Sequence, residues 1–539
     1  MAAAAATMDI MTWRPKANPW LIAFTVTLAT FMEVLDTSIA NIALPHIAGS
    51  FGASTNESTW VLTSYLVSNA IVLPTSAWLA TRFGRKRFYM TCVSLFAASS
   101  FFCGLAPSLT ALVICRVLQG VGGGGLQPSE QAILSDTFPP EKRGQAFAMY
   151  GMAVVVAPAI GPTLGGWLTD NFSWRWIFYI NVPVSIISLY MTSRVVEDPP
   201  YLKVEQAKNR GGSIDLIGLG LVSLGVGALQ LVLDKGQEKD WFGSHLILGA
   251  AVLAVILLVT WIIWEWHHPH PIVELKLLKN RNFATAVFFM FILGMVLFGT
   301  TVLLPQFMET LLGYPAVTAG EALAGGGFTM MVLMPVVGQV VTHFDPRKAM
   351  FCGFIATSLG LYYMATHLTI SADFKTLFFV RVIQVCGLPF IFIPSNVLSY
   401  VAIPREKSNQ ISSMINFTRN IGGSIGIALL NTVLVRNIQV QRTYYSARMQ
   451  HGNPQFQGML MGMASSLEAR GVSSTQAMQQ AYERMNLLLT QQASAVAYKE
   501  IVSYLAVAVL CLAPVVSIMK RPPRPAGGAK KKEDTPPAH

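Results

Sequence analysis

Charged residues are scarce in this chain. Asp, Glu, Lys and Arg make up only 12% of the 539 residues, against about 25% in soluble domains, whereas 53% of the residues are hydrophobic. Apolar stretches of about 20 residues, long enough to cross a bilayer, recur roughly fourteen times between residues 20 and 519. The composition excludes a soluble domain and predicts an all-α polytopic membrane protein embedded in the lipid bilayer.

Cysteine and nucleotide-binding motifs are also poorly represented. The six cysteines fall in predicted spans without any CxxC pair, which argues against a disulfide framework or a zinc site. No GxxxxGK[ST] string occurs, so the chain has no P-loop of its own. The strings "GVGGGG" (120–125) and "GGSIG" (422–426) lie inside spans, where small residues let helices pack closely. We therefore expect neither an enzyme nor a cofactor, and an energy source such as a proton gradient.

The positive charge of the chain, +11 overall, follows a topological pattern. If the N-terminus is cytoplasmic, most of the 38 Lys and Arg fall on the cytoplasmic side, and few fall in the short external loops. The positive-inside rule gives this distribution to a protein with an even number of spans and both termini cytoplasmic. The basic residues are thereby explained, and nucleic-acid binding is not expected.

A diverged internal repeat divides the chain. "RVLQG" at 116–120 is echoed by "RVIQVCG" at 381–387, and further landmarks recur at a similar offset of roughly 260 residues. We predict two six-helix bundles in parallel arrangement, with the transport path between them. The predicted segments are an N-terminal bundle at 1–196, an inserted helix pair at 213–266, a C-terminal bundle at 281–520 with an external loop at 436–498, and a disordered basic tail at 521–539.

The external loop is rich in Gln, Ser and Met and contains helix-favouring runs such as "STQAMQQAYERMNLLL". Its length exceeds the few residues of an ordinary connection. We expect an ordered hairpin or cap that faces a partner, and a flexible loop is the alternative.

Two acids interrupt the first apolar span. Glu33 and Asp36 are three residues apart in "FMEVLDTSIANIALP", hence on one helix face, with Asn41 placed roughly on the same stripe. They lie roughly 20 Å along the helix from Trp20, near the bilayer midplane. A charge there costs about 2.5 to 3.5 kcal/mol, so each is a functional-site hypothesis.

A carboxylate buried without a paired cation can accept and release protons near neutral pH. The second half has no acid at the corresponding positions, since Val296 stands opposite Asp36 when the repeats are aligned on their prolines. This restriction to one half favours a proton-coupling site. A structural hydrogen-bonding role is the alternative.

Other ionisable residues within the spans are Arg116, Arg381, Arg419 and Glu130. Arg116 can pair with an acid or relay protons as the carboxylate changes state. Arg381 is its repeat counterpart, and a structural arginine bonded to carbonyl groups is the alternative for both. Glu130 is a candidate cytoplasmic proton acceptor, although an exposed residue at a helix end is the simpler interpretation.

The motifs together resemble a known family. "RFGRKR" (82–87), "RVLQG", "VAPAIGPTLGGWLTDNFSWRWIFYINVP" (156–183) and "LDTSIANIALP" are similar to signatures of major facilitator transporters. The likeness is specific to the fourteen-span drug:proton antiporter (DHA2) family and, within it, to the inner-membrane pumps of Emr-type tripartite multidrug exporters. It spans essentially the whole chain.

The resemblance implies a major facilitator fold with about 14 transmembrane helices and proton-driven export of hydrophobic or amphiphilic drugs by alternating access. It implies a bacterial inner-membrane location, a periplasmic adaptor protein of the EmrA type and an outer-membrane channel as partners. A proton-coupled nutrient symporter is disfavoured by the sparse polar inventory and by "GPTLGG". A membrane receptor or scaffold is disfavoured because it gives the acids of the first span no purpose.

Residue roles follow from the same resemblance. Protonation is assigned to Asp36, coupling to Arg116, and the bend and close packing needed for alternating access to the antiporter motif, namely Gly161, Pro162, Gly165 and Gly166. The cytoplasmic loop motif contains Thr81, Arg82, Gly84, Arg85 and Lys86. Many members of the family carry Asp where this chain has Thr81, so a latch based on that charge is in doubt, and a hydrogen bond from Thr81 is its weaker substitute.

Overall fold

The computed structural model describes residues 13–202, 204, 215–269, 271–447, 449 and 453–520, and in these ranges the regular structure is entirely helical. The helices of the first half are α1 Pro19–Phe51, α2 Trp60–Phe83, α3 Arg85–Leu105, α4 Leu109–Thr137, α5 Arg143–Asn171 and α6 Trp176–Val195. The inserted pair is α7 Leu216–Lys235 and α8 His245–His267. The second half contains α9 Arg281–Leu311, α10 Ala316–His343, α11 Pro346–His367, α12 Phe374–Ser399, α13 Ser408–Ser446, α14 Pro454–Glu468 and α15 Ser474–Leu512.

The prediction of about fourteen spans is confirmed. Thirteen helices of the described chain are long and apolar enough to cross a membrane. Helix α2 supplies the fourteenth span: its 24 residues are long enough to cross a membrane, and it is less apolar because it buries a row of Thr, Ser and Asn side chains. Those polar groups face the interior of the bundle, where they can find hydrogen-bond partners, and not the lipid.

Helix α1 illustrates how the sequence sets the helix ends. The Asn18 side chain accepts a hydrogen bond from the backbone N–H of Trp20, and Pro19 occupies the first helical position, which needs no donor. At the other end Gly52 adopts φ 62°, a left-handed conformation that a residue with a side chain rarely takes. The resulting 33-residue helix carries both acids in its middle.

Within each half, long helices pack side by side: α1 along α5 in the first half, and α9 along α13 in the second. The halves meet mainly where α5 lies along α10 and where α13 lies against α2 and α4. The inserted helices pack on each other, and α7 also packs on α2. Asp234 of α7 accepts a hydrogen bond from Thr63 of α2, and Lys235 donates to Thr59 at 2.5 Å. The pair is therefore fixed to the outside of the first half and leaves the space between the halves to the repeats.

The external loop is helical over most of its length. Helix α13 continues to Ser446, α14 follows, and α15 begins at Ser474 and runs without interruption into the last span. Leu460, Ala464 and Ala481 form a small apolar cluster that packs α14 on α15. The flexible-loop alternative is wrong for the described part of this segment. The basic tail at 521–539 lies outside the described residues.

Candidate functional site

Asp36 and Arg116 form a buried ion pair inside the first half. Arg116 Nη1 lies 2.5 Å from Asp36 Oδ2, and the side chains are 0% and 1% exposed. Asp36 Oδ1 accepts hydrogen bonds from Gln119 at 3.0 Å and from Asn181 at 2.7 Å, while Arg116 Nε donates to the carbonyl of Val61 at 3.0 Å. A buried pair is tolerated when further hydrogen bonds support both charges, and here both oxygens of Asp36 and two nitrogens of Arg116 are bonded, while Arg116 Nη2 has no partner among the described residues. Any change in the charge of Asp36 must alter this whole cluster.

The expectation that Arg116 can pair with an acid agrees with the structure, and the acid is Asp36. No basic residue is near it in sequence, but α4 brings Arg116 into contact from 80 positions away. The placement of Asn41 on the same stripe is wrong. Five residues after Asp36 the helix has turned by about 140°, at about 100° per residue, and Asn41 is exposed.

Glu33 is held by neutral donors and faces the centre of the molecule. Its Oε1 accepts from the Tyr65 hydroxyl and from Asn69, each at 3.2 Å, and its Oε2 accepts from Gln127 at 2.6 Å. The side chain is 4% exposed. Tyr65 also links the two acids, because its ring lies 4.4 Å from the guanidinium carbon of Arg116. The two carboxylates therefore belong to one connected cluster with two separate sets of donors.

Gln127 connects Glu33 to the second half of the molecule. Its amide nitrogen donates to Glu33, while its oxygen Oε1 accepts from Arg419 Nη2 of α13 and lies 3.0 Å from the Tyr150 hydroxyl. Arg419 Nη1 donates to Tyr150 at 2.9 Å. A carboxylate of one half and a cation of the other are thus joined through a single amide. Gln127 was not among the predicted site residues, although the unusual polar run "QPSEQ" (127–131) inside a span was a usable signal.

Glu130 is buried, so its interpretation as an exposed helix-end residue is wrong. It is 0% exposed, because α4 continues inside the bundle for two further turns, to Thr137. The Thr27 hydroxyl donates to Glu130 Oε1 at 2.6 Å, and Oε2 has no hydrogen-bond partner among the described residues. Glu130 is therefore a third buried carboxyl group of the first half, next to the Glu33 cluster.

A charged latch does join the halves on the predicted cytoplasmic side, but it is built on Asp136. Arg85 Nη1 lies 2.5 Å from Asp136 Oδ2, with both side chains buried. From this pair, Arg85 Nε donates to Asn409 Oδ1 at 2.8 Å, and Ser408 donates to Asp136 Oδ1 at 3.2 Å. Tyr201 also donates to Asp136, and burial raises the pKa of this tyrosine far above its usual value, so the hydroxyl keeps its proton.

The remaining residues of the loop motif support this latch. Thr81 accepts a hydrogen bond from Asn409 Nδ2 at 3.2 Å, as expected of a weaker substitute for Asp. Gly84 takes φ 94° directly before α3, Arg82 lies over the ring of Trp78, and Lys86 Nζ donates to the carbonyl of Ser193 at 2.8 Å. The motif thus fixes the α2–α3 turn from which Arg85 reaches Asp136.

The antiporter motif presents one pair of residues to α1. A Cβ atom at Gly161 would collide with Ser38 Oγ, and one at Gly165 would lie 3.0 Å from Ile39 Cγ2. Ser38 and Ile39 are the second and third residues after Asp36. The two glycines therefore allow α5 to touch α1 beside the buried ion pair.

The other pair of the motif faces the second half. Pro162 Cβ lies 2.5 Å from the Cβ position of Gly320 on α10, and a Cβ at Gly166 would lie 3.2 Å from Val317. The same two turns of α5 thus contact the ion-pair segment of α1 on one face and the opposite bundle on another. Movement of α1 relative to α5 is thereby connected to the interface between the halves.

Arg381 repeats part of the Arg116 cluster without its acid. Its Nη1 donates to Gln384 at 2.7 Å, just as Arg116 donates to Gln119, and to Thr300 at 3.0 Å. By contacts the counterpart of Asp36 is therefore Thr300, one helical turn beyond the Val296 given by the proline alignment. The absence of a matching acid in the second half holds in either register.

Two parallel six-helix bundles, related by an internal repeat and meeting along a central interface that contains buried charges, define a membrane transporter. The chain belongs to the Major Facilitator Superfamily, whose family model matches residues 26–427. Proteins of this superfamily are transporters and not enzymes.

Curated relatives extend along most of the chain. It is 36% identical over 466 residues to the multidrug export protein EmrB of Escherichia coli strain K12, which covers 86% of this chain and 89% of that protein. It is 35% identical over 524 residues to the fatty acid resistance protein FarB of Neisseria gonorrhoeae, covering 97% of this chain and 100% of that protein. Among solved structures, the proton:xylose symporter XylE matches with a TM-score of 0.57 and 14% identity over 92% of this chain and 96% of that chain, which shows the fold alone.

Proposed function

We propose that this protein exports hydrophobic or amphiphilic drugs in exchange for protons, by alternating access of the path between its two halves. The observation that carries the proposal is the buried Asp36–Arg116 pair, which is present in one half and lacks an acidic counterpart in the other. The similarity to proteins named for multidrug export supports the direction of transport.

The described hydrogen bonds between the halves lie near the midplane or on the predicted cytoplasmic side, from Arg419 to the Asp136 latch. These bonds hold the cytoplasmic side closed, and in the proposed cycle a proton reaches Asp36 from outside. Protonation removes the charge that balances Arg116, so the cluster rearranges. Because Ser38 and Ile39 adjoin the antiporter motif, that rearrangement reaches the interface of α5 with α10.

Protonation of Glu33 can also affect the contact between the two halves. Its link to Arg419 passes through the single amide of Gln127, so a proton on Glu33 weakens the attraction between the halves at the midplane. The cytoplasmic latch then has less support, and the inner side can open to admit a drug. No cofactor is needed in this scheme, because the proton gradient supplies the energy.

We further propose that the protein lies in the bacterial inner membrane and works with a periplasmic adaptor of the EmrA type and an outer-membrane channel. The helical external segment, which extends beyond the span of α13 and returns through α15, supports this assembly as the docking element.

The antiport proposal is tested in proteoliposomes that contain this protein alone. Adding a lipophilic dye under an imposed gradient is expected to move protons opposite to the dye in the wild type and not in Asp36→Asn. The exposed Asp170→Asn on α5 is the matched control and is expected to behave as the wild type. Protons that move with the substrate would indicate symport, and a fully coupled Asp36→Asn would transfer the proton role to Glu33.

The assembly proposal has its own experiment. Replacing residues 449–472 with a short Gly/Ser linker removes the end of the external segment and leaves the spans in place. The variant is expected to lose co-purification with the adaptor while retaining dye-driven proton movement in proteoliposomes. Unchanged co-purification would contradict the docking role.

A further inference from the structure

The four buried arginines of the described chain differ in how their charge is balanced. Arg85 and Arg116 form direct ion pairs, and Arg419 faces Glu33 through one amide. Arg381 forms no ion pair within the part of the chain that the structure describes, although it is only 5% exposed. A buried cation without a counter-charge costs several kcal/mol, so packing alone does not account for this arginine.

The groups around Arg381 satisfy its hydrogens only in part. Thr300, Thr301 and Gln384 accept hydrogen bonds from Nη1 and Nη2 at 2.6 to 3.0 Å, but all three are neutral. The Nε of Arg381 and the amide nitrogen of Gln384 have no acceptor among the described residues. One buried donor of Arg381, its Nε, and a full positive charge therefore remain available beside Thr301. Gly326 leaves the space that the guanidinium occupies, since a Cβ there would lie 3.0 Å from Nε.

Arg381 lines a small cavity at the interface of the halves. Val155 and Pro158 of α5 form one wall, and Phe298, Leu323 and Val385 of the second half form the other. Its volume is about 30 Å³, enough for a water molecule or two. Apart from Arg381 and Thr301, its lining is apolar. The cavity thus combines one unbalanced cation with apolar walls contributed by both bundles.

The position of the cation along the membrane also bears on its role. Arg381 lies seven residues after the first residue of α12, about 10 Å from the predicted outer end of that helix. The wall formed by α5 lies within the α5–α10 contact that alternating access must rearrange. A group bound to Arg381 would therefore lie between the moving surfaces, on the outward side of the midplane.

We propose that Arg381 recognises the head group of anionic amphiphiles, with a carboxylate as the favoured group and the apolar body in contact with α5, α9 and α10. Guanidinium matches a carboxylate because its planar N–H groups can donate two parallel hydrogen bonds, and Nε supplies an unused donor here. In the present conformation the cavity holds only water-sized groups, so the head group and the body of the amphiphile enter as the bundles separate. This inference rests on the proposed export function and names a substrate class for it.

The experiment measures binding, so that it does not depend on transport. The full-length protein in nanodiscs of zwitterionic lipid is dialysed to equilibrium against pyrenebutyrate, pyrenebutanol and pyrenebutylamine, with empty nanodiscs as background. These probes share one apolar body and carry an anionic, a neutral and a cationic head group. The variants are Arg381→Gln, Arg381→Lys and, as a matched control, Arg442→Gln in the external segment.

The wild type and Arg442→Gln are expected to bind pyrenebutyrate about 10- to 100-fold more tightly than pyrenebutanol, as for hydrogen bonds to charged groups. Arg381→Gln is expected to lose that preference and to keep its affinity for pyrenebutanol, while Arg381→Lys retains part of it. A wild type without the preference overturns the inference even if no variant folds. An Arg381→Gln variant that keeps the preference for pyrenebutyrate also overturns the inference, as does one whose affinity for all three probes falls equally.

Two further arms separate carboxylate recognition from lipid binding and from transport. Adding phosphatidylglycerol to the nanodiscs is expected to leave pyrenebutyrate binding unchanged, and displacement would assign Arg381 to a lipid head group and overturn the proposal. In proteoliposomes, Arg381→Gln is expected to lose proton-driven transport of pyrenebutyrate while retaining that of the uncharged probe. If the wild type binds pyrenebutyrate through Arg381 but transports no probe against protons, the export proposal fails and the binding site stands.

Discussion

The Asp36–Arg116 pair makes an asymmetric prediction about stability. An Asp that loses its partner can take up a proton and become neutral, whereas an Arg cannot lose its charge in a protein. Replacing Arg116 with Gln leaves Asp36 with Gln119 and Asn181 as donors and with protonation as an escape. Replacing Asp36 with Asn leaves a buried guanidinium with neutral acceptors only. We expect the second change to be the more destabilising one.

The magnitudes follow from the contacts. Asp36→Asn removes one partner of a buried pair, which costs about 3–5 kcal/mol. Part of the polar geometry survives, because Asn181 Oδ1 has no partner among the described residues and can turn toward the new amide. Arg116→Gln loses the charged hydrogen bond to Asp36, worth about 1.5–3 kcal/mol, and also those to Val61 and Gln119, but it leaves no charge that cannot be neutralised. The double variant contains no unbalanced charge, so its loss is expected to lie near that of Arg116→Gln and well below the sum.

Steric-trap unfolding in bicelles measures these free energies of unfolding on the wild type, both single variants and the double variant. The expected order of stability is wild type, Arg116→Gln together with the double variant, and then Asp36→Asn. Additive losses, or an Arg116→Gln variant that is less stable than Asp36→Asn, would refute the reasoning. They would show that the two charges are balanced by groups other than each other.

Three further predictions concern the link between the halves. Gln127→Leu is expected to reduce proton-driven export about 10- to 100-fold in proteoliposomes, since it removes the amide between Glu33 and Arg419. Each hydrogen bond from this amide to a charged group is worth about 1.5–3 kcal/mol. Unchanged export would show that Gln127 does not take part in coupling. Gly161→Ala is expected to slow export because its Cβ would collide with α1, whereas Gly220→Ala, with nothing within 4 Å, serves as the control, and equal effects would count against the motif's packing role. Asn409→Ala is expected to weaken the cytoplasmic latch, because it removes the hydrogen bonds to Arg85 and Thr81. The measurement is the labelling of a cysteine introduced at Ser76 with a membrane-impermeant maleimide added from the cytoplasmic side. Labelling should become faster, and slower labelling would contradict the latch.

Much of the architecture was accessible from the sequence because lipid imposes a strong local rule. A span must be long and apolar, and an acid within it is costly, so the helices and residues such as Asp36 stand out singly. The internal repeat then indicated that the second half forms a six-helix bundle like the first. Even α2, whose buried polar side chains lower its hydropathy, was recognisable as an apolar stretch of about 20 residues.

The partners of those residues were not accessible, since they come from distant positions and carry little signal of their own. Gln119, Gln127 and Asn181 are neutral amides, which are far less costly in a span than a charge and so do not stand out. The latch shows the same limit: a motif pointed to Thr81, whereas Asp136 closes the contact from the end of another helix. Packing alone decided which polar groups meet.

Helix α13 contains 39 residues and is therefore about 58 Å long, while the hydrocarbon core of a bilayer is about 30 Å thick. One continuous rod thus carries Asn409 of the latch at its inner end, Arg419 near the midplane and the external segment at its far end. If roughly 28 Å of this helix extends outside the hydrocarbon core, a tilt of about 10° within the membrane displaces its outer end by about 5 Å. A protein attached there would be pushed and pulled by each turnover, so the pump would act on its partner as a mechanical lever as well as a supplier of substrate.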